Sequence, residues 1–275
     1  MLPQFIDLGL FSVRTFTALI AAATVVGLAL LVATAYRRGE PLLRWLDVGL
    51  GGLLGGVIGA RLLHVLLNLV YFRDHAAEAL NLRAGGLSGH GALYGALLGV
   101  WLAARWRRVS FRAVADVLAL LWPLGMIAAW VGCLAASCGY GAEVRTLADF
   151  PAWMVSETAD IYGTVAPRYN TQHFGLWLGA GLLILSGLVT LVGWLRGYRL
   201  WLILGLSAAG LFVLGFFRGD GAPGPLPTLT WDQALDLSVI AFSAVAAVGT
   251  ALHRPAREGQ PATAPQKPEF DTSER

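Results

Sequence analysis

The chain has 275 residues, of which 56% are hydrophobic, 13% are charged and ten are tryptophan, more apolar and interfacial side chain than one soluble core holds. Its formal charge is only +3, nearly all of the positive charge is arginine with Lys267 the single lysine, and the basic residues stand at the ends of apolar segments. That distribution excludes a nucleic-acid patch of basic residues interleaved with aromatics. It reads as an all-α polytopic membrane protein.

Seven segments, near 17–36, 48–70, 87–104, 113–136, 174–195, 200–217 and 234–252, suit a hydrocarbon core that takes ~20 helical residues. They predict seven transmembrane helices within one membrane domain, 1–253. Residues 1–10 lack a basic region followed by an apolar core and a small-residue cleavage site, so the first span is expected to be retained. Arg37, Arg38 and Arg44 follow the first span, Arg105, Arg107, Arg108 and Arg112 the third, Arg196 and Arg199 the fifth, Arg254 and Arg257 the seventh. Seven crossings put all of these clusters on one side. The positive-inside rule makes that side cytoplasmic, with the N-terminus outside and the C-terminus inside.

The second span carries Gly51, Gly55 and Gly59, and the third carries Gly91, Gly95 and Gly99. Small residues at every fourth position let two helices approach closely, so these spans are expected to pack together, with Arg61 and His64 deep in the second. A buried arginine needs an anionic partner. Asp116, a wet cavity and a lipid phosphate are the candidates, and a plain Arg61–Asp116 helix tie weighs as much as phosphate binding. The third span is short and opens with Gly85-Gly86-Leu87-Ser88-Gly89-His90-Gly91, which reads as a re-entrant or broken start. An ionisable group at the mouth of a membrane helix is a functional candidate, which singles out His90, although a hydrated helix cap would also fit.

Cys133 and Cys138 lie five apart on one apparent helix, a spacing that suits neither a disulfide nor a zinc pair. They read as small packing residues. The longest outer loop, 139–173, holds Glu143, Asp149, Glu157 and Asp160 with Trp153 and Tyr162, and is expected to form a small extracytoplasmic cap with a function of its own. Residues 254–275, with Pro255, Gly259, Pro261, Pro265 and Pro268, are too poor in hydrophobics to fold, so a disordered cytoplasmic tail is expected.

Together the motifs resemble a bacterial family, the prolipoprotein diacylglyceryl transferases, over residues 14–238. Gly59-Ala60-Arg61 is similar to that family's second-helix motif, and the Gly85 to Gly91 stretch to its glycine and histidine motif. Ser110-Phe111 with Asp116 resembles the fourth-helix entry, 125–141 takes the place of the signature, and Arg168-Tyr169-Asn170-Thr171-Gln172 resembles its Arg-His-Pro-Thr-Gln segment. Phe216-Phe217-Arg218-Gly219-Asp220 resembles the end of the sixth helix, and Thr230 and Gln233 the approach to the seventh.

The resemblance implies transfer of a diacylglyceryl group from phosphatidylglycerol to the lipobox cysteine thiol of a preprolipoprotein, at the outer face of the bacterial plasma membrane. It implies His90 as base or stabiliser of the reacting groups, and Arg61, Arg168 and Arg218 at the phosphate. Gln172 and the backbone around Gly86, Gly91 and Gly141 would support them. No metal and no cofactor is implied; phosphatidylglycerol, the preprolipoprotein and membrane lipids are the partners. Where the family has an arginine and an asparagine in its signature this chain has Trp130 and Cys133, and Cys138 stands where an acidic residue is common. The family's arginine and glutamate of the sixth helix correspond to Leu211 and Gly215, and its first-helix tyrosine to Phe16. Each lost hydrogen bond to a charged group removes about 1.5–3 kcal/mol. A paralogue that binds phospholipid without transfer, or one with another lipid donor, therefore stands as the alternative. Two remoter readings are an intramembrane serine protease of the rhomboid type, from Gly86-Leu87-Ser88-Gly89 with His173 or His253 as base, and a transporter, for which no inverted repeat is visible.

Overall fold

The computed structural model describes residues 3–7, 9, 12–82 and 85–252. The expected tail 254–275 and His253 lie outside the described residues. The seven expected spans form seven long helices: α1 (Thr15–Arg38), α2 (Leu42–Leu67), α4 (Gly89–Arg107), α5 (Phe111–Ala136), α6 (Thr171–Leu191), α7 (Arg199–Gly215) and α8 (Trp231–Leu252). A short helix, α3 (Leu69–Asp74), and a 3-10 turn at Ala76–Leu80 follow α2. Two antiparallel hairpins complete the chain, β1 (Phe5–Asp7) with β2 (Ser12–Arg14) and β3 (Val155–Ala159) with β4 (Val165–Tyr169). Five of the long helices are long and apolar enough to cross a membrane: α1, α2, α5, α6 and α8. The 17-residue α7 is shorter, and α4 is diluted by four glycines, His90, Arg105 and Arg107.

Local chemistry explains where these helices start and stop. Gly39 takes a left-handed conformation at φ 65° and closes α1, whose last turn carries Arg37 and Arg38 against the negative end of the helix dipole. Ser88 and Ser110 cap α4 and α5 by accepting from the Gly91 and Ala113 N–H groups. Among the described residues no re-entrant segment precedes α4. Residues 85–88 belong to no helix or strand, with Gly85 and Gly86 in left-handed conformations at φ 82° and 73°, and α4 is regular from Gly89. The expectation of a broken start is corrected by the Ser88 cap, which lets the polar turn end at the helix mouth.

The tightest seam in the bundle joins α2 to α4. Gly51, Gly55 and Gly59 face Gly99, Gly95 and Gly91, so that a methyl group added at Gly55 would strike the Gly95 carbonyl and one at Gly95 the Gly55 carbonyl. Trp45 and Val48 of α2, with no exposed surface, join Leu31, Val100 and Val114 in one apolar cluster among α1, α2, α4 and α5. A second cluster, built on Leu97, Ala119, Leu182, Leu204 and Val239, binds α4 through α8.

The arginine-bearing helix ends gather at one end of the bundle. There Arg107 pairs with Asp47, and Asp116 accepts from the Gly197 N–H at 2.8 Å. Asp116 therefore holds the α6–α7 turn and does not meet Arg61, because the two lie at opposite ends of their helices. Just outside α1, Glu40 accepts from Arg38 Nε (2.7 Å) and Trp45 Nε1 (2.9 Å). The Arg38 hydrogen bond, then that of Trp45, hold its carboxyl below the usual range.

The opposite end carries the cap. Asp160 Oδ1 accepts from the Tyr162 and Thr164 N–H groups and shapes the β3–β4 turn, in which Gly163 has φ 84°. Bridges from Gly141 to Arg218 and from Glu143 to Arg168 fasten this hairpin to the segment leaving α7.

The glycine seam generates a direct comparison. Gly55→Val should lower stability by about 1–3 kcal/mol through overpacking, whereas Gly181→Ala, with open space around it, should be neutral or stabilising by up to about 1 kcal/mol. Thermal unfolding in detergent checks both, and equal midpoints for the two variants would contradict the seam.

Candidate functional site

At the cap end a cavity of about 650 Å³ opens among α2, α4, α5, α7 and α8. One wall is apolar, with Met126, Trp130, Leu211 and Phe16. The other carries charge: His90 from α4, Asp232 and Asp236 from α8, and Arg218 and Asp220 from the chain between α7 and α8. His64 lines it from α2.

The polar wall is one connected network. His90 Nε2 lies 2.9 Å from Asp236 Oδ1, and its Nδ1 lies 4.0 Å from Asp232. Arg218 Nη1 lies 3.1 Å from the other Asp232 oxygen, and Arg218 Nε donates to Asp220 at 2.8 Å. Asp220 in turn accepts from the Gly139 N–H at 2.9 Å. Burial works against the Arg218 charge, but the Asp220 hydrogen bond and the Asp220, Asp232 and Asp236 carboxylates raise its pKa above the ordinary arginine value. The guanidinium is thus a fixed positive charge at the mouth of the cavity. Asp236 is 3% exposed, while the Asp232 side chain is 42% exposed and open to a ligand.

Of the expected catalytic and phosphate-binding residues, His90 and Arg218 line this cavity, whereas Arg61, Arg168, Gln172, Gly86, Gly91 and Gly141 do not. Arg61 is turned away. Its Nε donates to Ala79 O (2.8 Å), Nη1 to Gly85 O (2.6 Å) and Gly86 O (3.0 Å), and Nη2 to Glu78 O (2.5 Å), with Phe72 beneath the guanidinium. Four backbone carbonyls take the place of the anion expected for it. Its work is to fold the segment after α2 back over the helix end, and the Ser88 N–H bond to Ala60 O at 3.0 Å continues that contact.

Arg168 lies in the cap, 4% exposed, held by Glu143 (2.8 Å) and Asp160 (3.2 Å) and stacked on Tyr140 at 5.0 Å. Burial, then the nearby Asp220 and Asp160 charges, push the Tyr140 hydroxyl up from its usual pKa. Gln172 donates through Nε2 to Cys138 O (2.9 Å) and Cys133 O (3.4 Å), tying the start of α6 to the end of α5. Gly141 lies against the Tyr169 backbone, Gly91 against the Gly59 carbonyl and Gly86 beneath the His64 ring, so each is a point of close approach. Ser88 is the helix cap described above, a structural role for the hydroxyl of the protease-like motif.

Cys133 and Cys138 are joined by a disulfide, which corrects their reading as packing residues. The chain leaves α5 through Ser137 in a left-handed conformation at φ 53°, and this turn brings together two side chains that a straight helix would hold apart. Both cysteines face the cavity. Trp130 lies over Gly139 and Gly175, where a Cβ would strike its rings, so the indole fills the space between α5 and α6.

Sequence reasoning missed Asp220, Asp232 and Asp236. The signal was present, because two carboxylates four residues apart at the start of an apolar span share one helix face, and ionisable groups inside a membrane segment mark function.

A family model described as prolipoprotein diacylglyceryl transferase matches residues 3–249. A phosphatidylglycerol–prolipoprotein diacylglyceryl transferase of Aromatoleum aromaticum is 31% identical over 266 residues, covering 91% of this chain and 95% of its own. A protein of the same name from Azoarcus sp. is 30% identical, over 83% of this chain and 90% of its own. One from Acaryochloris marina is 34% identical over 42% of this chain and 43% of its own.

The disulfide predicts a measurable loss. Replacing both cysteines by alanine should cost about 2 kcal/mol by the entropy of closing so short a loop, and a reductant should lower the wild-type melting point to that of the double variant. Complete alkylation of both cysteines without reductant would show that the bond is absent from the native protein and overturn the assignment.

Proposed function

The chain belongs to the prolipoprotein diacylglyceryl transferase family, and on that premise we propose that its cavity transfers a diacylglyceryl group from phosphatidylglycerol to the thiol of a preprolipoprotein lipobox cysteine. The observation that carries the reading is the union of His90 and Arg218 on one wall of a cavity whose other wall is apolar. A phospholipid has that same division into charged head and apolar chains. A thiol with a pKa near ~8.5 needs a base to become a good nucleophile, and His90 presents a ring nitrogen on the same wall as Arg218. Arg218 stabilises the charge that develops on the departing glycerol phosphate. Arg61, Arg168 and Gln172 act one layer out, holding the loops that shape the cavity mouth.

The reaction so drawn calls for no metal or organic cofactor, and phosphatidylglycerol is consumed as substrate. We assign the protein to the bacterial plasma membrane as a multi-pass chain with the cap and cavity outside and the arginine-bearing ends in the cytoplasm. The positive-inside rule supports that orientation, as does the presence of a secreted acceptor's thiol on the outer side.

Expression in a strain depleted of its own transferase tests the reading, beside purified protein with phosphatidylglycerol vesicles and a lipobox peptide. Wild type should restore growth and form the thioether. His90→Ala should slow transfer by about 10²–10⁴-fold and Arg218→Ala by about 10²–10³-fold, at unchanged expression. A well-inserted wild type that binds the vesicles and never modifies the peptide would favour the lipid-binding paralogue.

A further inference from the structure

Resting on that reading, the geometry points to Asp236 as a positioning residue: it holds His90 as the Nε2–H tautomer, so that Nδ1 is the atom that receives the thiol proton. A carboxylate accepts hydrogen bonds and has none to give. With Asp236 Oδ1 2.9 Å from Nε2, the ring proton of the neutral imidazole belongs on Nε2. The lone pair is then on Nδ1, which faces Asp232 at 4.0 Å and the cavity.

The arrangement is more than a tie between helices. α4 and α8 are already linked one turn along, where Tyr94 and Ser238 hydroxyls lie 2.7 Å apart and Tyr94 meets Phe242 edge to face. A second fastening would not require an ionisable pair on the cavity wall. Orientation of a base by a buried carboxylate that also stabilises its charged form is a recurrent catalytic device, and here both members are enclosed, with side-chain exposures of 16% and 4%.

The step balances as follows. The thiol proton passes to His90 Nδ1 and the sulfur forms its bond to the glyceryl carbon as that carbon's bond to the phosphate oxygen breaks. The electron pair of the broken bond leaves with glycerol phosphate beside Arg218, and the proton on Nδ1 passes to that product or to water. Asp236 keeps its charge throughout and stabilises the imidazolium while it exists.

The groups facing His90 are Asp232 and Asp236 on α8, Arg218 and Asp220 on the link before it, and His64 across the cavity on α2. Removing the Asp236 charge takes stabilisation from imidazolium, so Asp236→Asn should move the acidic limb of the pH–rate profile to lower pH by about one unit. It should also depress the plateau by about 10²–10⁴-fold, because an asparagine amide can donate to Nε2 and drive the proton to Nδ1. Asp236→Glu should recover part of the plateau and return the limb toward its wild-type position.

Nitrogen NMR of the wild-type protein labelled in histidine, assigned by His90→Gln, needs no Asp236 variant to fold. A protonated Nε2 and a bare Nδ1 above the imidazole pKa are expected. The proposal is overturned if the proton resides on Nδ1, or if a folded Asp236→Asn protein keeps both the wild-type tautomer and the wild-type pH profile. Absence of transfer by wild type, with the Nε2–H form in place, would support the positioning and count against the transferase reading instead.

Discussion

Backbone-to-backbone contact between α2 and α4 is the constraint on which the cap end depends. Three glycines on each helix leave no side chain between them, and the carbonyls of one rest where the β-carbons of the other would stand. Because dispersion contacts and not water expulsion hold helices together in lipid, such closeness is among the few ways two spans gain affinity there. The contact runs to Gly59 and Gly91, so it fixes the mouth of α4 against the end of α2. Ser88, Arg61 and the polar turn at Gly85 and Gly86 are all set by that junction. His90 is delivered to the cavity by the same junction, one residue before Gly91.

Charge in this bundle is met at short range by a partner chosen to suit its place. Arg61 is surrounded by carbonyl dipoles and Arg168 by two carboxylates in the cap. His90 and Arg218 share a row of three aspartates. The differences decide what each cation does. A guanidinium with every face occupied by its own loop is fixed in place and shapes that loop, as Arg61 does. Arg218 pairs instead with Asp232, a carboxylate that is itself open to the cavity, so its charge is turned toward that space.

The helices were legible in the sequence because hydropathy over ~20 residues is a physical requirement of the bilayer, and seven apolar segments became seven helices close to the expected positions. The α2–α4 pairing was legible for a similar reason, since a repeat of small residues has few other uses in lipid. The disulfide was not legible. Helical spacing separates Cys133 from Cys138, and only the left-handed turn at Ser137, which no residue pattern announced, brings them together. The partner of Arg61 was missed for a different cause: four main-chain carbonyls have no signature in side-chain identity. Asp232 and Asp236 could have been read from their spacing, but the meeting of Asp236 with His90 across 146 residues depends on how α8 packs, which one sequence does not specify.

The substitutions that set this chain apart from the pattern it resembles fall on one side of the cavity. Trp130, the Cys133–Cys138 disulfide and Leu211 make the α5 and α7 wall apolar where charge and amide groups were expected. On the opposite side α8 contributes two carboxylates at its first turns, against His90 and Arg218. Polarity has not been lost from the cavity so much as gathered onto the α4–α8 wall, where His90, Asp236, Asp232 and Arg218 form one chain of contacts. A low-dielectric wall opposite strengthens each of those interactions, because fewer mobile dipoles screen them. Trp130 contributes to that environment by position alone: wedged over Gly139 and Gly175, its indole fills the α5–α6 seam and presents apolar surface to the cavity.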